Sequence, residues 1–195
     1  PEYAGVISAD ESLIIYTSRR AGSTGEKTIN GMFMEDIYIS EKVDGKWNPA
    51  HSISDRINTD HHDATVGLSN DGQILYTYYD SGKNKGDLFQ STRQPDGWSK
   101  LEDLGKNINN KDTWETGASL SFVKKTLYFV SNRDGGQGER DIWFSNWNEE
   151  KERWGDAVTA YAQLFRGLGS VVLCAPEKVH VENRECTVEW LLATF

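Results

Sequence analysis

Four landmarks return in the same order about every fifty residues, and this repetition restricts the chain more than any other property. Asp36, Asp87 and Asp141 are separated by 51 and 54 residues, and Trp47, Trp98 and Trp154 by 51 and 56. The pair Ile57-Asn58 recurs 51 residues later as Ile108-Asn109. Each copy opens on a serine (Ser8, Ser69, Ser121) followed by an apolar run, 13–18, 74–78 and 127–131. The first copy is longer because residues 21–34 form an insertion rich in Gly, Ser and Thr, which reads as a protruding loop. A period of this length marks an array of small units, none able to hide its apolar face alone.

Each copy holds four short strand candidates. In the second they fall at 65–69, 74–79, 87–92 and just after Trp98, with Asn70-Asp71-Gly72 as a hairpin turn because Asp-Gly tolerates positive φ. The runs lack the 3.6-residue apolar period of helical repeats. Four antiparallel strands in a unit of this size are the arithmetic of a β-propeller blade. The expectation is therefore an all-β fold with three blades at about 1–59, 60–110 and 111–159. A closed ring takes at least about four blades, so the array is partial or truncated.

The pattern stops after Trp154. Residues 160–195 are an atypical tail: a degenerate fourth blade, or a segment foreign to the array. Asp156 suits the cap of a short helix through Val158, Tyr161, Ala162 and Phe165, with strand-like runs at 171–175 and 178–192 beyond it. Both cysteines, Cys174 and Cys186, lie in this tail, and their spacing leaves a disulfide and two free thiols equally open.

Composition narrows the partners. A net charge of -9 with no basic face argues against nucleic acid and against an anionic membrane surface. No apolar run approaches the roughly 20 residues that span a bilayer. Aromatics at 11% set the chain apart from disordered acidic segments.

Several residues carry candidate chemistry. A carboxylate stands six residues before the opening serine of each copy: Glu2, Asp63 and Glu115. The first strand of a blade lines the channel, so these acids are expected at one mouth of it, either as a site for a cation or basic peptide or as acceptors for loops of a neighbouring blade. Their repetition favours the structural role. Asp36, Asp87 and Asp141, at the start of the third strand, are expected to bond turn amides. Trp47, Trp98 and Trp154 are expected to plug the space between blades. Arg19 and Arg133 are read as repeated strand-end residues. Residues 135–138 with Asp134 and Asp141 hint at a calcium loop, but the spacing is one residue off and calcium wants about six oxygens or more, so a glycine-rich turn is the simpler account. No other cofactor is called for. Asp60-His61-His62-Asp63 looks like metal-ligand material, yet adjacent histidines diverge on an extended chain and no third ligand has helpful spacing.

The pattern of Ser-x-Asp-Gly, an apolar strand, Ser-x-Arg-x-Gly-Gly-x-Gly, Asp-Ile-Tyr/Trp and Gly-x-Trp resembles the TolB-like, WD-repeat-like propeller repeats of bacterial envelope proteins, often found beside OmpA-type domains. Residues 132–143 carry the nearest match, and the likeness covers about 2–159. It implies a periplasmic or outer-membrane-associated, non-catalytic module that binds or scaffolds a protein or glycan. The alternative is a carbohydrate-active propeller enzyme, which needs a carboxylate pair that breaks the blade symmetry. No Gly-x-Ser-x-Gly, Walker or His-Glu-x-x-His motif occurs.

Overall fold

A computed structural model describes residues 1–80 and 86–160. It is all-β: three antiparallel sheets built from equivalent strands, set side by side as a partial propeller. Blade 1 comprises β1 (Glu2–Ile7), β2 (Leu13–Ser18), β3 (Asp36–Val43), β4 (Lys46–Trp47) and β5 (His51–Ser52). Blade 2 comprises β6 (His62–Leu68), β7 (Ile74–Asp80), β8 (Asp87–Gln94), β9 (Gly97–Trp98) and β10 (Glu102–Asp103). Blade 3 comprises β11 (Glu115–Leu120), β12 (Thr126–Ser131), β13 (Asp141–Asn148), β14 (Arg153–Trp154) and β15 (Val158–Thr159). The inner strands adjoin one another in order, β1 beside β6 and β6 beside β11.

The outermost strand of each blade is broken into two pieces that pair with the same neighbour. A serine of the third strand latches the break. The hydroxyls of Ser40, Ser91 and Ser145 donate to the carbonyls of Asn48, Ser99 and Gly155, each the residue after the repeated tryptophan, at 2.6, 2.8 and 2.7 Å. In blade 3 this places Val158 and Thr159 on β15, opposite Phe144 and Trp143. A helix entered from Asp156 through Val158 is thus not what forms: the open edge of β13 captures these β-branched residues as a strand. The remaining tail features, with Cys174 and Cys186, lie outside the described residues.

Two apolar clusters join the blades. Leu13, Ile15, Ile37 and Ile39 of blade 1 pack with Leu75 and Trp98 of blade 2. Tyr76 and Leu88 of blade 2 pack with Leu127, Phe129, Trp143 and Trp154 of blade 3. Alternation along each strand sends one set of side chains to the preceding blade and the other to the next. Ile57 and Ile108, on the loops that leave blades 1 and 2, are fully buried in these same clusters. The asparagine after each extends the sheet. Asn58 accepts from Ile37 N at 2.8 Å and donates to its carbonyl at 2.9 Å, and Asn109 does the same for Leu88 at 2.9 and 2.8 Å.

The same loops reach forward. Arg56 donates to the carbonyl of Trp98 at 3.2 Å, and Asn107 to that of Trp154 at 2.9 Å. Each inner strand also carries a bulge, between Tyr3 and Val6, Thr65 and Gly67, and Thr116 and Ala118. Gly67 lies in close contact with blade 3, since a Cβ there would lie 2.0 Å from the carbonyl oxygen of Ala118.

Candidate functional site

The starts of the inner strands, the ends of the second strands and the loops between second and third strands gather at one mouth. Here Glu2, Asp63 and Glu115 hold one register position, opposite Ser18, Tyr79 and Ser131. Their surroundings differ. The Glu2 side chain is 57% exposed and pairs with Arg20 at 3.3 Å, whereas Asp63 and Glu115 are buried at 1% and 0%.

Glu115 is saturated from within the protein. It accepts from the amide of Asn110 (3.2 Å) and the hydroxyls of Thr113 and Ser131 (2.6 Å each), and it pairs with Arg133 at 3.2 Å. Burial pulls the Arg133 guanidinium below its ordinary pKa, while Glu115 counters the shift. Asp63 accepts from the amide and hydroxyl of Thr59, at 2.6 and 2.9 Å, while its Oδ1 has no donor among the described residues. Burial, with the nearby Asp36 charge, pushes its carboxyl up to about 6 against the pull of the Thr59 donors.

Asp36 receives the amide and hydroxyl of Thr24, from the insertion, at 2.7 and 3.0 Å, and burial raises its carboxyl as well. Asp141 receives the amides of Gln137 and Gly138 at 2.9 and 3.0 Å, so the glycine-rich stretch 135–138 curls over this carboxylate. Asp87 begins β8 at the matching position. Among the described residues no group of three or more His, Cys, Asp or Glu is arranged to hold a metal ion. His61 and His62 part company, as an extended chain requires: His61 bonds Asp60 at 2.6 Å and His62 donates to Glu35.

Of the repeated tryptophans, Trp98 and Trp154 lie at 4% and 5% exposure between blades, but Trp47 is 42% exposed. It faces the side of blade 1 on which the described residues place no further blade. The arginine assignment also shifts by one residue. Arg20, not Arg19, matches Arg133: both sit two residues after the last serine of the second strand and donate Nε to it, at 2.9 and 3.0 Å. Both then lie over a pair of aromatic rings, Tyr38 and Tyr16 for Arg20, Trp143 and Phe129 for Arg133. The Ser-x-Arg spacing, Ser18 to Arg20 and Ser131 to Arg133, was the available signal.

Arg19 belongs instead to a group that the repeat does not announce. Its Nε donates to Glu35 at 2.8 Å, and the Tyr3 hydroxyl donates to the same oxygen at 2.7 Å. Burial works to raise the Glu35 carboxyl, but the donors His62, Tyr3 and Arg19 together hold it below the usual range. Tyr3 in turn is pushed up to about 12 by burial and by Glu35.

No protein-family model matches the chain, and no curated protein matches it in sequence. Solved structures similar in shape include a puromycin-hydrolyzing peptidase of Mycobacterium tuberculosis (TM-score 0.47, 12% identity, over 80% of this chain and 22% of that one). Others are a prolyl endopeptidase (0.49, 10%, 79% and 19%) and a putative 6-phosphogluconolactonase from Bacteroides uniformis ATCC 8492 (0.41, 13%, 80% and 39%). The chain thus spans well under half the length of each.

From Tyr3 and Glu35 a string of partly exposed side chains continues across the mouth. His62 leads to His61, whose ring meets Tyr79 edge-on at 5.6 Å. Tyr78 meets Trp114 at 6.3 Å, and Arg140 lies over Trp114 at 3.8 Å. All three blades contribute to this rim, and its aromatic faces and cationic ends suit contacts with sugars, peptide carbonyls or carboxylates.

Proposed function

We propose that this chain is a non-catalytic binding module, part of a larger propeller, whose recognition face is the mouth rim formed by Tyr3, His61, Tyr79, Trp114 and Arg140. The observation that carries this reading is the enclosure of two of the three recurring carboxylates, Asp63 and Glu115. Glu115 has four donors of the protein's own, and neither it nor Asp63 reaches solvent. Glycoside hydrolysis needs a carboxylate pair that faces a sugar and a water, which acids enclosed in this way do not offer. The partly buried aromatic rings of the rim, with Tyr3 the most exposed, are left to make contacts instead. The partner is a protein or glycan of the bacterial envelope, the compartment implied by the repeat's resemblance to TolB-like propellers.

The test is binding and turnover on the same protein. Peptidoglycan fragments, other oligosaccharides and purified envelope proteins are titrated against the chain by calorimetry, then against Trp114→Ala. A ligand whose affinity falls about tenfold or more in the variant supports the rim, since a stacked aromatic is commonly worth more than 1 kcal/mol. Hydrolysis of any member of a glycoside panel by the unaltered chain would replace this reading with the enzyme.

A further inference from the structure

The face of blade 1 turned away from blade 2 carries the set of residues by which blade 3 seats itself on the blade before it. Strand register assigns the equivalences. Ile7 and Ile14 pair as do Leu68 with Leu75 and Leu120 with Leu127. Tyr38 and Trp47 then correspond to Trp143 and Trp154 of blade 3. In blades 2 and 3 these positions are buried against the preceding blade, as Leu75 and Trp98 are in one cluster and Leu127, Trp143 and Trp154 in the other. In blade 1, Tyr38 is buried at 6% beneath Arg20, while Ile7 is 52% exposed and Trp47 42%.

The polar part of the seat is equally specific. Arg133 of blade 3 not only pairs with Glu115 but also donates to the backbone carbonyls of Asn107, at 3.1 Å, and Ile108, on the loop that ends blade 2. Arg20 is held by the same three devices as Arg133: a serine hydroxyl at Nε, a carboxylate one strand inward, and two aromatic rings beneath the guanidinium. Its side chain remains 34% exposed, against 10% for Arg133. The cradles are alike, but Arg20 also donates to the Tyr16 hydroxyl at 2.9 Å, and only Arg133 holds a pair of carbonyls.

We propose that this face seats a further blade of the same repeat, one that ends in an Ile-Asn type turn whose carbonyls bond Arg20 while its aliphatic face covers Trp47 and Ile7. The seat is continuous in kind with the two internal blade interfaces. A second copy of this chain is the poorer occupant. Ile57-Asn58 and Ile108-Asn109 begin ten residues after Trp47 and Trp98, but ten residues after Trp154 the sequence reads Leu164-Phe165. The asparagine that squares off the sheet edge is therefore missing from the blade that a second copy would offer.

The experiment compares the full chain with the same chain extended ahead of Glu2 by a copy of residues 64–114, which lead into Glu115 at the matching point. Hydroxyl-radical oxidation is read residue by residue by mass spectrometry. If the extension docks, Trp47 oxidation falls about tenfold, the ratio of its present exposure to that of Trp98 and Trp154. Arg20→Met in the extended chain returns much of that oxidation, while the low oxidation of Trp98 and Trp154 reports that the original blades remain folded. Unchanged Trp47 oxidation alongside protected Trp98 and Trp154 overturns the proposal. Sedimentation of the unextended chain is the second measurement. A monomer agrees with the proposed occupant, and a dimer dispersed by Trp47→Asp overturns it in favour of a second copy. Neither readout depends on a mouth ligand.

Discussion

The Arg133 guanidinium lies 3.2 Å from a Glu115 carboxylate oxygen, and the same guanidinium donates to the carbonyls of Asn107 and Ile108. One side chain thus neutralises the buried acid of its own blade and ties down the loop that ends the previous one. Removing a partner from a buried ion pair leaves the other charge uncompensated. Arg133→Met is therefore expected to cost about 3–5 kcal/mol in chemical denaturation. Pairing it with Glu115→Gln should cost less than the two single changes added together, a non-additivity that a double-mutant cycle measures.

Asp63 makes stability depend on pH. Its carboxyl titrates at about 6 in the fold, above the roughly 3.9 of a free aspartate. The native state keeps this proton where the unfolded chain has lost it, so the contribution is fully present below the unfolded value and is lost as pH rises through about 6. Asp36 adds to the upward shift, and Thr59 and His61 oppose it. Asn at this position carries no charge to bury. Asp63→Asn is expected to gain about 1–3 kcal/mol over the parent near pH 8 and almost nothing near pH 4, as followed by urea melts at both values.

Trp98 and Trp47 hold the same place in the repeat but not in the packing. Trp98→Ala should cost about 3–5 kcal/mol by emptying the cluster between blades 1 and 2. Trp47→Ala should cost under about 1 kcal/mol in the unextended chain. Equal melting temperatures for the two variants would contradict the burial difference.

At Gly67 the backbone of blade 3 leaves no room for a side chain. Gly67→Ala must drive the two inner strands apart, at a cost of about 1–3 kcal/mol or more. Hydrogen exchange should then show faster amides in β6 and β11 than in β2 and β3.

Asn58 bonds both backbone groups of Ile37 from a wholly buried position. Asn58→Ala leaves the Ile37 N–H without a partner, while the Ile37 carbonyl keeps the amide of Ile53 at 3.0 Å. The expected loss is about 1–3 kcal/mol, measured by thermal melts, with Asn58→Asp restoring only the acceptor half.

How much of this was readable beforehand depends on whether the cause is local. The strands 74–79 and 87–92 were legible because their runs and the Asn70-Asp71-Gly72 turn carry the pattern in a few residues. Trp98 and Trp154 were legible as inter-blade plugs because the repeat places them. The same logic missed the exposure of Trp47, since burial there depends on a neighbour and not on the residue. Ser18-Arg19-Arg20 offers two arginines, and the Ser-x-Arg spacing shared with Ser131 and Arg133 tells which is equivalent. Val158 and Thr159 read as helix because their partner, the free edge of β13, lies more than ten residues away in sequence. The Tyr3–Glu35–Arg19–His62 group draws on four separate segments and has no counterpart in the other copies, so no spacing betrays it.

The apolar clusters are out of phase with the sequence repeat. Ile57 and Trp98 share one cluster although they stand in successive copies, as do Ile108 and Trp154 in the other. A chimaera spliced neatly between two copies would therefore bisect a core, and each parent would donate half of a surface that the other had never matched.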